Sequence, residues 1–331
     1  MRTTNQIKVT MLLLLASLAG PEFAAAHEFY LTPMVSGGSE GTTRICAFVG
    51  EGLEGEPIRY SVPYTESFRK YEGAEVGSSE QRSPSFVDLS KVASHGQWTF
   101  AELPSGTAGI VSFVSRFVDH EMEGDAFNAY LAEDGLDDVL RQREQTESVG
   151  VVRERFRRSA KLYLPASQRT DVSWRRGGSE GKVRTAQGLE FASSPRVDPC
   201  VPLGLPLEIV PLTDPEQSSA HVSFQILWEG RPLEGALVRT WHRPARTEET
   251  DPPRQPDGSS HARTTSAPTD LGSKDDAGTP RAAARTTAEG TVEFDVSMSG
   301  EWLVSVVHMV PSETASSDWE STWASFTFLQ R

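Results

Sequence analysis

Trp302-Leu303-Val304-Ser305-Val306-Val307-His308-Met309-Val310 is apolar at odd and even positions alike. A strand covered on one face alternates apolar with polar residues, so a run without a polar side predicts a central strand buried on both faces. His308 follows Val306 by two and shares its side with Trp302 and Val304, so it emerges where the buried strand ends. Such a place suits a ligand, and equally a core-edge histidine held by a backbone carbonyl.

Working outward, Val292, Phe294 and Val296 alternate with Glu293 and Asp295, a half-exposed strand, and Trp323 to Leu329 reads as a closing strand. Upstream, His221 to Trp228 leads through Glu229-Gly230-Arg231-Pro232 into Ala236 to Trp241, a hairpin by its turn residues. Residues 243–284 are rich in Pro, Ser, Thr, Asp and Arg with scarcely an aliphatic side chain, and read as a disordered insertion. Composition changes at Pro199-Cys200-Val201-Pro202, which sets the expected division between an amino-terminal domain, 27–198, and a carboxy-terminal one, 199–331.

The first of these domains repeats the grammar of short strands and glycine turns, from Phe29-Tyr30-Leu31 through Ile45 to Val49 and on to Gly109 to Ser115. Phe127, Tyr130 and Leu131 interrupt it at helical spacing, with Asp125 as N-cap and Gly135 as stop, and Leu136, Val139 and Leu140 extend the helical stretch. Arg153 to Lys161 is a basic cluster whose arginines are expected to pair with nearby carboxylates. The fold class is therefore mainly β, two sandwich-like domains with a short helical insertion in the first.

With 331 residues and a net charge of −14, the chain is large enough for two cores and has the wrong sign for nucleic acid. Arg2 and Lys8, the apolar run from Val9 to Leu18, and small residues at Ala24 and Ala26 form a secretory signal, residues 1–26, cut after Ala26. Periplasmic or secreted release without stable membrane insertion is the expectation, because no other run is long and apolar enough to span. Two cysteines, Cys46 and Cys200, exclude a disulfide scaffold and a four-thiolate zinc site. In an exported chain one bridge between them is expected, and two separate thiols are the alternative.

Cleavage after Ala26 makes His27 the first residue. A terminal histidine offers a metal its free α-amine and ring Nδ1 together, a chelate that an internal histidine cannot form; imidazole suits nickel, cobalt, copper and zinc. His27 is thus the first candidate ligand, followed by His308 and by His120 between Asp119 and Glu121. Asp318 and Glu320, set between Trp319 and Trp323, offer oxygen ligands or an acid–base pair for glycoside cleavage. There is no H-E-x-x-H and no C-x-x-C.

The opening Ala26-His27-Glu28-Phe29-Tyr30-Leu31-Thr32-Pro33 resembles the start of an exported bacterial family described as the periplasmic component of ABC-type cobalt/nickel transport. The likeness continues at Phe127 to Leu131 with Glu133 to Leu136, at Arg153 to Phe156, at Gly204 to Pro211, at Gly230 to Leu233, at Gly300 to Val304, at His308-Met309 and at Asp318 to Ser321. Tyr30 departs from the tryptophan usual there, and the 243–284 insertion has no counterpart. The resemblance implies an immunoglobulin-like or transthyretin-like second domain, a nickel or cobalt ion as cargo, and a membrane metal-transporter subunit as partner. Three rivals remain: a copper enzyme built on the terminal histidine, a glycosidase, and a structural or carbohydrate-binding β module.

Overall fold

A computed structural model describes residues 28–35, 42–72, 85–104, 107–146, 150–165, 183–184, 190–191, 197–218, 220–244 and 278–330. The chain runs through β1 (Glu28–Val35), β2 (Thr42–Gly50), β3 (Glu56–Pro57), β4 (Thr65–Glu72), β5 (Ser85–Asp88), β6 (Thr99–Pro104), β7 (Gly109–Ser115) and β8 (Val118–Glu123). Two helices follow, α1 (Gly124–Glu133) and α2 (Asp137–Gln145), then the long β9 (Val151–Leu164) and the small hairpin of β10 (Val183–Arg184) and β11 (Glu190–Phe191). The rest is β12 (Leu207–Pro211), β13 (His221–Trp228), β14 (Arg231–Pro232), β15 (Leu237–Pro244), β16 (Ala282–Arg285), β17 (Thr291–Asp295), β18 (Gly300–Pro311) and β19 (Trp319–Gln330). The protein is mainly β, as its alternating pattern requires.

One large sheet, in the order β16-β15-β18-β19-β9-β7-β4-β5 with β8 beside β9, forms the middle layer. It draws strands from both sides of residue 199, joined where β19 pairs with β9 in parallel. As its unbroken apolar pattern predicts, β18 is central: Trp302, Val304 and Val306 enter the core shared with Ile209, Phe224 and Ile226, and Val307 and Met309 enter another on the opposite side. The face that carries Trp302, hereafter the β13 face, is covered by the sheet of β12, β13, β14 and β17. The other, the β1 face, is covered by the sheet of β1, β2, β3 and β6 and by the two helices.

Phe29 and Leu31 of β1 share a core with Phe113, Ala160 and Leu162, while Tyr30 turns the other way to Phe48, Cys46, Trp241 and Leu303. A ring stack with Phe48, centroids 5.6 Å apart, fixes Tyr30. Cys46 and Cys200 are free thiols, which corrects the expected bridge: Cys46 is built into that apolar cluster, and Cys200 stands near Asp198, Asp214 and Lys161. Burial pushes the Cys46 thiol up, and burial with Asp198 pushes Cys200 up to about 12.

The ends of the 243–284 stretch are paired strand, because β15 runs to Pro244 and β16 lies against it with Ala282 opposite Thr240. Residues 1–27 and 245–277 lie outside the described residues, and with them the expected signal, His27, His261 and most of the stretch expected to be disordered. Among the described residues no helix is long and apolar enough to cross a membrane.

Candidate functional site

Cross-strand partners in a sheet point to the same side, so the register assigns each candidate residue to a face. His120 of β8 is opposite Glu154 of β9, which is opposite Trp319 of β19; with Ser321 and Trp323 they belong to the β1 face. His308 is opposite Thr322, which is opposite Arg157, and Glu320 is opposite Arg155; these belong to the β13 face. The expected ligands among the described residues therefore fall into two groups with the sheet between them. His120 lies on the side where β1 begins, one residue after His27, and His308 and Glu320 lie on the other.

On the β1 face the floor is Glu154, 2% exposed. Its Oε1 accepts hydrogen bonds from Tyr130 Oη at 3.3 Å and from Ser321 Oγ. Its Oε2 is buried without a hydrogen-bond partner among the described residues, as is the indole Nε1 of Trp323. Buried polar atoms are nearly always satisfied, so an orphan acceptor and an orphan donor in one cluster mark a place for a polar occupant. Tyr130 joins them, stacked on Trp323 with ring centroids 6.1 Å apart.

Helix α1 supplies Tyr130 and, at its end, Asp134. Phe127, Tyr130 and Leu131 face inward at the spacing read from the sequence. The helix begins two residues earlier than expected, with Glu123 as N-cap and Asp125 in the first turn, where a carboxylate still meets the positive helix end. Gly135 ends it at φ 65°, and Leu136 N–H returns to Leu131 C=O at 2.8 Å, closing a left-handed cap. That cap holds Asp134, which pairs with Arg239 of β15 at 2.8 Å. Opposite, Glu28 of β1 accepts from Gly52 N–H at 3.1 Å.

Glu28, Asp134 and Glu154 form an electrostatic group, since Asp134 lies within Coulombic range of both others. Burial drives the Glu28 and Glu154 carboxyls each up to about 7, with Asp134 adding to both; hydrogen bonds from Gly52 to Glu28, and from Ser321 and Tyr130 to Glu154, pull the other way. Burial also lifts Asp134 to about 6 against Arg239. Arg158, over the Phe29 ring at 5.8 Å, is pushed down to about 10 by burial. The cations present do not compensate the buried carboxylates, and a bound cation would favour their ionised form.

Among the described residues no group of three or more His, Cys, Asp and Glu side chains is arranged to hold a metal ion. Glu154, Glu28, Asp134 and Ser321 were not singled out by the sequence reading. The signal for Glu154 was available, since Val152, Glu154 and Phe156 alternate as the buried positions of one strand, but the flanking arginines made the stretch read as a basic surface run.

On the β13 face the acid pair is taken up by that same run. Arg153 holds Asp318 at 2.8 Å and Arg155 holds Glu320 at 3.2 Å, as the arginine cluster was expected to do. The Arg153 guanidinium keeps the exposed Asp318 carboxyl below the usual range, which removes it as a proton donor near neutral pH. His308 is half-buried, its ring centroid 4.8 Å from that of Trp228 in an edge-on arrangement, and burial alone lowers its imidazole.

Residues 192–310 match a family described as a domain of unknown function (DUF4198), a stretch that holds β12 to β17 and β18 as far as Val310. No curated protein matches the chain.

Proposed function

We propose that the mature protein binds a divalent transition metal through the terminal amine and ring of His27, and passes it to a membrane transporter subunit on the periplasmic side. The observation that carries the reading is the destination of β1. The strand that starts one residue after His27 has its first side chain, Glu28, in the group of buried carboxylates with Asp134 and Glu154. Glu154 Oε2 and His120 are the described groups best suited to join a terminal histidine, because they share the β1 face. A nitrogen-rich chelate with one carboxylate suits nickel and cobalt, the cargo implied by the resemblance, and binds copper still more tightly by the general affinity order.

Metal must displace a proton from the terminal amine, whose ordinary pKa is about 7.7–8.0, so affinity falls as the solution is acidified. Protein purified with His27 as its first residue is expected to bind nickel or cobalt in calorimetric titration. A glycine added before His27, or His27→Ala, should leave the fold intact by circular dichroism and weaken binding by about tenfold or more, roughly 1.4 kcal/mol. Equal affinity in the glycine-extended protein would sink the chelate.

A further inference from the structure

The parallel pair β9 and β19 builds a ladder on the β13 face whose last rung lacks its acid. Arg153 pairs with Asp318 at 2.8 Å and Arg155 with Glu320 at 3.2 Å; the next arginine, Arg157, is opposite Thr322. Thr322 is too short and uncharged to do what Asp318 and Glu320 do. It accepts one hydrogen bond from Arg157 Nε at 3.2 Å, and among the described residues the two terminal guanidinium nitrogens have neither a hydrogen bond nor an ion pair. Phe117 carries both neighbouring guanidiniums on its ring, Arg155 at 4.0 Å and Arg157 at 4.7 Å. Stacking on the ring fixes a guanidinium by its face and leaves its edge for a planar acceptor. Next to Thr322 on the same side is His308, with the Trp228 ring against it.

We propose that Arg157, Thr322 and His308 form a binding site for a small organic carboxylate, which takes the place that the ladder reserves for a third acid, its body lying against Trp228 and Phe117. The class follows from the two rungs below, where this backbone geometry already presents arginine to carboxylate. Glu66, Glu229 and Glu320 act on Arg157 electrostatically and Arg155 opposes them, while burial lowers Arg157 overall. The proposal is independent of the metal reading, being carried by the opposite face of the sheet.

Benzoate, acetate and the neutral isostere benzamide are the probes, with a short peptide bearing a free terminal carboxylate as a second source of the same group. Titration followed by NMR is expected to show benzoate binding and benzamide not, with acetate weaker for want of a body. Arg157→Gln should weaken benzoate by about tenfold, the usual scale of one charge-assisted contact. Thr322→Glu, which supplies the missing acid from within, should abolish benzoate binding; if it fails to fold, Thr322→Asp replaces it. Benzoate binding unchanged in Arg157→Gln, or benzamide binding as tightly as benzoate, overturns the site. Binding of the peptide alone overturns the assignment to a small molecule.

Discussion

Glu154 shows how much a single side chain depends on what surrounds it. In the unfolded chain its carboxyl has the ordinary value of 4.5, and in the fold it is raised to about 7, so the folded state holds the proton more tightly. The stability that this supplies is complete below pH 4.5 and is lost as pH rises through about 7. Metal-free protein should therefore have a shallower fall in stability between those limits when Glu154→Gln removes the titration. The variant should be more stable than the parent at pH 8 by on the order of 2 kcal/mol in urea unfolding, with little difference at pH 4.5. A parallel pH dependence in both proteins would contradict the raised carboxyl. None of this is legible from Arg153-Glu154-Arg155 read by composition, since the charge pattern is that of a surface. The inward side that its alternation with Val152 and Phe156 assigns to Glu154 becomes a closed site through Tyr130 and Ser321, which lie far from it in sequence or on another element.

At the scale of elements the sequence was more explicit. The character of β18 followed from the absence of a polar side, and α1 from the spacing of Phe127, Tyr130 and Leu131. Gly135 was read as a stop, and its φ of 65° is the reason, since a side chain strains that conformation. A Cβ at this position would also stand 2.7 Å from Leu237 Cδ2 and 2.9 Å from Leu237 Cβ. Gly135→Ala is therefore expected to destabilise by about 1–2 kcal/mol in chemical denaturation, through the left-handed residue and the crowding together. An unchanged midpoint would mean that the cap relaxes freely. What could not be read was register: no local pattern states that His120 will be opposite Glu154 or His308 opposite Thr322. Whether the candidate ligands can meet is settled by pairings between distant strands, and among the described residues these put His120 on one face and His308 and Glu320 on the other.

Across the whole molecule the layers are fastened by Lys161 and Glu208, both side chains 1% exposed and 2.8 Å apart. Lys161 also donates to Ile209 C=O at 3.0 Å, and Glu208 accepts from the backbone N–H groups of Leu203, Gly204 and Leu205. A buried pair is costly to break from one side, because the survivor is left charged and dry. Lys161→Met should lower stability by about 3–5 kcal/mol, and adding Glu208→Gln should recover part of the loss. If the double variant is as unstable as the sum of the singles, measured by urea unfolding, the two residues act separately. The composition change near residue 199 was visible in the sequence, but not that the middle sheet would continue past it. Mixed sheets hide such continuity, since each strand carries the same alternation whatever strand it pairs with.

The parallel seam between β9 and β19 also sets an order of events in time. Trp319 must find Glu154, and Thr327 must find Leu162, across about half the length of the chain. Closing so long a loop is entropically slow and brings no reward until the pairing is made. Until β19 has been synthesised, β9 and β18 each present an unpaired edge, and the cores on both sides of the sheet stay open. The finished protein is thus assembled from its middle outward only at the end, and its nascent chain depends on remaining unaggregated until then.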